Sequence, residues 1–258
     1  MKGKPSPLVR TLQIINVFAL MLTLTINALA NILPINGMNT GELSALYPSL
    51  FTPAGFTFSI WSVIYLLLIG FVIVQKTISE KPYFKELSLW FWLSCVANSS
   101  WILAWHYQYL FASVLIMSIL LFSLARMFIL IHADTTFNLL QKLFVQLPFT
   151  FYFAWICVAI IANISAVLVS VQWSGGPLSP VMWTITMTGI ASLLGIFIVE
   201  RYRQPAFFLV LIWALFGIYS KWNNTENQAI ASAALGELSL LAVLFFVFQF
   251  GMKPKSAR

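Results

Sequence analysis

The chain has 258 residues, 60% of them hydrophobic and 8% charged, with a mean hydropathy of +0.91 and a net charge of +7. Soluble domains carry about a quarter charged residues, so this composition excludes one. Continuous apolar runs without alternation exclude a transmembrane barrel. The expectation is an all-α polytopic membrane protein crossed by runs of about 20 apolar residues.

About eight transmembrane helices are predicted, at 11–31, 53–75, 87–107, 110–131, 144–169, 180–200, 205–221 and 229–250. The first follows Lys2, Lys4 and Arg10, and its Ala28-Leu29-Ala30 imitates the cleavage site of a secretory signal. Its apolar run is longer than such signals use, and Asn27 and Asn31 suit a retained helix, so it is read as a span. Between the second and third spans lie Lys76, Lys81 and Lys85, with Arg126 and Lys142 around the next inner loop. Arg201 and Arg203 separate the sixth and seventh spans, and Lys253, Lys255 and Arg258 follow the eighth. Alternating spans put all of these on one side, and of the 14 Lys and Arg only Lys221 falls on the other. Cytoplasmic loops collect Lys and Arg. Both termini are therefore expected in the cytoplasm, in the cell membrane (the inner membrane in a Gram-negative cell). The basic charge is topological, so no nucleic-acid partner is expected; the bilayer is.

Residues 32–52 form the longest outer loop, broken by Pro34, Gly37, Gly41 and Pro48, with Glu42 its one charge. Leu43, Leu46, Tyr47 and Leu50 predict a packed lid rather than a linker. The stretch FTPAGFTFSIWSVIY then enters the second span, with Pro53 in the first helical turn, where a missing amide costs nothing. Trp61 and Tyr65, four apart, point the same way and lie deeper than an interfacial belt. Trp173, Trp183 and Trp222 at outer helix ends, and Trp90 and Trp92 at an inner end, read as headgroup anchors. Cys95 and Cys157 read as small buried hydrophobes.

Depth brings a set of residues to one level in the outer half: Asn27, Asn31, Trp61, Tyr65, Asn98, Trp101, Trp155, Ala159, Asn163 and Glu237. Polar groups facing hydrocarbon are costly, so these point into the bundle. Any one asparagine is explained by an interhelical hydrogen bond; together, the set points to a shared pocket of aromatic faces and amides. Glu237 has two open readings. It is a proton-relay carboxyl, or part of a packing surface with Ala229, Ser232, Ala233 and Gly236. His106 and His132 belong to opposite sides and share no metal. His106 is read as interfacial before a porphyrin ligand, and Lys221 as a helix-end residue before a Schiff-base lysine. No nucleophile–base pair, phosphate loop or metal-ligand spacing occurs.

Three stretches resemble the tryptophan-rich sensory proteins, relatives of the translocator protein (peripheral benzodiazepine receptor). They are Pro53, Gly55, Phe58, Trp61 and Tyr65 in the second span, Asn98 and Trp101 in the third, and Trp155, Ala159 and Asn163 in the fifth. Departures are Phe51 in place of the usual tryptophan, Ala54 after Pro53, a Gly55 to Trp61 interval one residue short, and Pro148 a turn early. The resemblance covers about residues 10–170. It implies a five-helix bundle at 1–170, followed by three further helices and a basic tail at 171–258. It further implies a pocket capped by loop 32–52 that takes a porphyrin, haem-related tetrapyrrole or sterol-like molecule.

The expected function is thus a membrane sensor or carrier for a flat hydrophobic small molecule. No obligatory cofactor is expected, porphyrin or haem being the ligand implied, and a homodimer is left open. The alternative is a proton-coupled secondary transporter using Glu237. An enzyme is less favoured, for want of an acid–base pair.

Overall fold

The computed structural model describes residues 6–33 and 35–251; Pro34, Lys2, Lys4, Lys253, Lys255 and Arg258 lie outside them. Among the described residues the chain is helical throughout, without strands. Eight long helices follow one another: α1 Pro7–Ile32, α2 Ile60–Val74, α3 Phe84–His106, α4 Leu110–His132, α5 Leu147–Ser170, α6 Pro180–Tyr202, α7 Ala206–Trp222 and α8 Gln228–Phe250. Seven of the eight belong to segments long and apolar enough to cross a membrane, while α7 has 17 residues, the lower end of the usual spanning range. The protein is a polytopic all-α membrane protein.

Two compact units divide the described chain, residues 6–47 with 59–156, and 48–58 with 157–251. In the first unit α1 packs on α3, and α3 on α4. The buried stripe of α1 is Asn16, Ala19, Leu20, Thr23, Asn27 and Ala30, while Phe18, Met21 and Leu22 face outward. This is the polarity expected where hydrocarbon is the solvent: small and polar inside, bulky and apolar outside. Asn16 Nδ2 donates to Gln75 Oε1 (2.9 Å) and Ser88 Oγ (3.1 Å), and Thr23 Oγ1 to the Cys95 carbonyl (3.2 Å). Ahead of α5, Lys142–Gln146 forms a π turn closed by the Leu147 amide on the Lys142 carbonyl. Pro148 has no amide to give and its ring crowds the carbonyl four residues back, so a wider turn relieves the helix just there.

The α2–α3 and α4–α5 connections meet in a polar cluster. Lys81 Nζ is 2.7 Å from Asp134 Oδ2, Thr136 donates to Asp134 Oδ1 from both amide and hydroxyl, and Tyr83 Oη donates to Oδ2. Burial works against the Asp134 charge. Bonds from Lys81, Thr136 and Tyr83 outweigh it and hold the carboxyl well below the usual carboxylate range. Burial, and then the bond to Asp134, raise the Tyr83 phenol well above its usual value. A carboxyl that is depressed in the fold adds stability above its unfolded pKa of about 3.9 and loses it as pH falls below that value. Asp134→Asn should therefore cost about 1 kcal/mol at neutral pH, a figure reduced because Lys81 is partly exposed. Parent and variant melting temperatures measured against pH should converge in acid; a gap that persists unchanged would refute the ionic contribution.

In the second unit α8 packs on α7 and α6. Residues 48–58 are fastened along α7. The Ala54 amide donates to the Gly217 carbonyl (3.1 Å), Trp213 Nε1 to the Thr57 carbonyl (2.9 Å), Lys221 Nζ to the Thr52 carbonyl (2.8 Å) and Trp222 Nε1 to the Leu50 carbonyl (2.8 Å). These bonds correct the reading of the second span. Its backbone groups before Gly55 serve α7 rather than a helix, Gly55–Ser59 is a 3-10 turn, and α2 begins at Ile60. Pro53 therefore precedes the helix, and Trp61 stands at the start of α2, within the apolar helical segment Gly55–Ile78. Before α6, Gly175 (φ 89°) and Gly176 (φ 61°) occupy the left-handed region that favours glycine. Ser179 then caps α6 with Pro180 at its first position.

Candidate functional site

The first unit gathers most of the predicted residues around a chain of buried amides. Asn27 Nδ2 donates to Asn98 Oδ1 at 2.7 Å, and Asn98 Nδ2 donates to Tyr152 Oη at 2.8 Å. Asn98 is 0% exposed, Tyr152 3% and Trp155 2%, so water competes for none of these bonds. α1, α3 and α5 each supply one member, which ties three helices at one level.

Aromatic rings pack beside this chain. Trp61 stacks on Tyr65 (centroids 5.4 Å, planes 22° apart) and meets Tyr152 and Trp155 edge to face at 5.7 and 6.2 Å. The stack is what four-residue spacing on a helix produces, and edge-to-face meeting is the arrangement that aromatic quadrupoles favour. Trp61 as a residue is half-buried. The Tyr65 hydroxyl is buried near the Asn98 amide but outside hydrogen-bonding geometry.

The other candidates fall elsewhere. Asn31 is exposed and bonds back to the Asn27 carbonyl on its own helix (2.9 Å). Trp101 is buried and stacks on Trp105 at 6.1 Å, and Trp105 in turn meets Tyr47 at 6.1 Å. Ala159 and Asn163 lie further along α5, half-buried and buried, in the second unit. Glu237, in that unit too, has Oε1 3.0 Å from Thr188 Oγ1 and accepts at Oε2 from Ser192 Oγ (2.9 Å), both of α6.

Part of the loop that follows α1 is anchored by His106. Its Nδ1 lies 3.1 Å from the Ile35 carbonyl and its Nε2 3.2 Å from Thr40 Oγ1, while Asn36 Nδ2 donates to the His106 carbonyl. Both ring nitrogens are thereby engaged by the loop. Asn39 and Glu42 form a capping box on the short helix Thr40–Ala45, and Leu43 is fully buried. Tyr47 Oη donates to Gln108 Oε1 at 3.0 Å. Lys221 is committed to the Thr52 carbonyl, as described above.

Two residues passed over by sequence reasoning are Tyr152, which joins the amide chain, and Trp105, which packs on Trp101 apart from it. Tyr152 lies three residues before Trp155 and Trp105 four after Trp101, so helical spacing alone was a signal for both. A separate open cavity of about 280 Å³ lies within the second unit, walled by Phe51, Ile161, Ile164, Trp173, Trp183 and Met187 among others. Trp173 and Trp183 stand 5.4 Å apart there, and the Trp183 indole donates to the Gly175 carbonyl.

No curated protein and no solved structure matches this chain. A family of TSPO-like proteins matches it from residue 13 to residue 248, a stretch that includes the three helices after residue 170. The chain belongs to the TSPO-like protein family.

Proposed function

We propose that this membrane protein is a sensor or carrier that binds a flat hydrophobic molecule against Trp61 and Tyr65 in the first unit. The reading is supported most by one observation: the half-buried Trp61 stacked on Tyr65 beside a dry amide chain, with the Tyr65 hydroxyl buried and outside hydrogen-bonding geometry. Such a site offers a stacking surface, apolar walls and one spare polar group, as small-molecule sites commonly do. A porphyrin, a haem-related tetrapyrrole or a sterol-like molecule has that shape, with polar groups confined to its rim. Family membership favours the same class of ligand. The loop held by His106 is proposed as the cover of the site.

Protoporphyrin titrated into the purified protein in lipid nanodiscs tests the reading. Trp61→Leu should weaken binding about three- to tenfold, the worth of one aromatic contact, with the melting temperature little changed. Unaltered affinity in Trp61→Leu and in Tyr65→Phe would place the ligand elsewhere.

The proposed orientation has both termini in the cytoplasm of the cell membrane. Cysteine at Leu46 should then react with an impermeant thiol reagent on intact cells, and cysteine at Ser79 should not; the opposite pattern inverts the topology.

A further inference from the structure

Glu237 is the only acidic residue, among the described residues, more than a turn from the end of its long helix; Glu86 and Glu200 sit in terminal turns. Its surroundings allow the protons to be counted. Thr188 Oγ1 is 2.9 Å from the Ile185 carbonyl and 3.0 Å from Glu237 Oε1, yet a threonine hydroxyl has one hydrogen to donate. Ser192 Oγ supplies one hydrogen to Oε2 at 2.9 Å. If Thr188 serves its own helix, the contact to Oε1 is completed by a proton on the carboxyl, and every polar group in the cluster is then satisfied.

Among the described residues no cation replaces that proton. On the helices packed against α8, the charged and titratable groups stand near the ends: Glu200, Arg201, Tyr202 and Arg203 at one end of α6, and Tyr219 and Lys221 at one end of α7. Arg203 lies over the Phe248 ring at 5.8 Å. That ring is eleven residues beyond Glu237, or about 16 Å along the helix. Lys221 is held by the Thr52 carbonyl. A bare carboxylate among hydrocarbon groups takes up a proton rather than remain unpaired.

We propose that Glu237, Thr188 and Ser192 form a proton-binding site inside the membrane span, loaded with one proton at neutral pH. The site is independent of the ligand reading for the first unit, since all three side chains belong to the second. Such an acid reacts with a membrane-soluble carbodiimide. The carboxyl proton passes to a carbodiimide nitrogen, the carboxylate oxygen adds to the central carbon, and the O-acylisourea rearranges to a stable N-acylurea. Nothing is oxidised and nothing leaves.

Dicyclohexylcarbodiimide applied at neutral pH to the whole protein in nanodiscs should modify Glu237, read by mass spectrometry of the α8 peptide, with labelling lost as pH rises. The infrared band of a protonated carboxyl should be present in the parent at neutral pH and missing from Glu237→Gln. Labelling mapped to Glu86 or Asp134 instead, or no labelling at Glu237, overturns the proposal. So does a Glu237 already ionised at neutral pH. The mapping needs no variant, so a Glu237→Gln protein that fails to fold leaves the test intact.

Discussion

Asn98→Ala should lower the unfolding free energy in mixed micelles by about 2 kcal/mol, against no measurable change for Asn31→Ala. Interhelical hydrogen bonds in membrane proteins average only about 0.6 kcal/mol, which sets a floor of roughly 1 kcal/mol for the two that Asn98 makes. The larger figure follows from burial. The Asn27 amide and the Tyr152 hydroxyl lie where water does not reach, and a buried group that loses its partner costs about 1–3 kcal/mol. Asn27 retains its bond to the Thr23 carbonyl (2.9 Å), which keeps the cost from reaching the top of that range. Asn31 is exposed and bonded only to its own helix, so it controls for the residue type. Equal melting temperatures for the two variants would show that the amide chain does not hold the first unit together.

Gly217→Ala should destabilise the second unit by about 1–3 kcal/mol through overpacking. A Cβ at Gly217 would run into the Thr57 side chain and lie 3.0 Å from Pro53 Cβ, so residues 48–58 must lift from α7 to admit it. Lifting breaks the bond from the Ala54 amide to the Gly217 carbonyl. Hydrogen exchange at Ala54 should accelerate accordingly, together with a lower melting temperature. Gly236→Ala is the control, since nothing lies within 4 Å of a Cβ there. Slow exchange at Ala54 in Gly217→Ala, with parental stability, would mean the segment is not clamped by close approach.

The helices were legible because hydrocarbon is an exacting solvent: each apolar run of spanning length became a helix, with ends a few residues from those read. The inward facing of Asn27 and Asn98 was legible through cost, since amides in hydrocarbon turn from lipid, but their bond to each other could not be read. The start of α2 was not. Pro53 and Gly55 are as compatible with a helix N-terminus as with an irregular strap, and what decides is a set of donors on α7, some 160 positions later. His106 was likewise opaque, because its partners are a loop carbonyl and a threonine hydroxyl that carry no pattern of their own. Tyr152 was within reach, but a tyrosine in an apolar run reads as filler until its hydroxyl finds Asn98.

The buried stripe of α1 bears on how this chain assembles. In a bilayer every apolar helix is already comfortable, and a smooth Leu-rich surface could slide or rotate against α3 at almost no cost. Asn16, Thr23 and Asn27 interrupt that indifference at three heights, meeting Ser88, the Cys95 carbonyl and Asn98 of α3 in turn. They work like the cuts of a key, admitting one rotation and one register of α1 while adding little to the strength of its grip. Converting all three to leucine would leave a helix that inserts as readily as before but no longer recognises where on α3 it belongs, and the fault would surface as heterogeneity rather than as failure to enter the membrane.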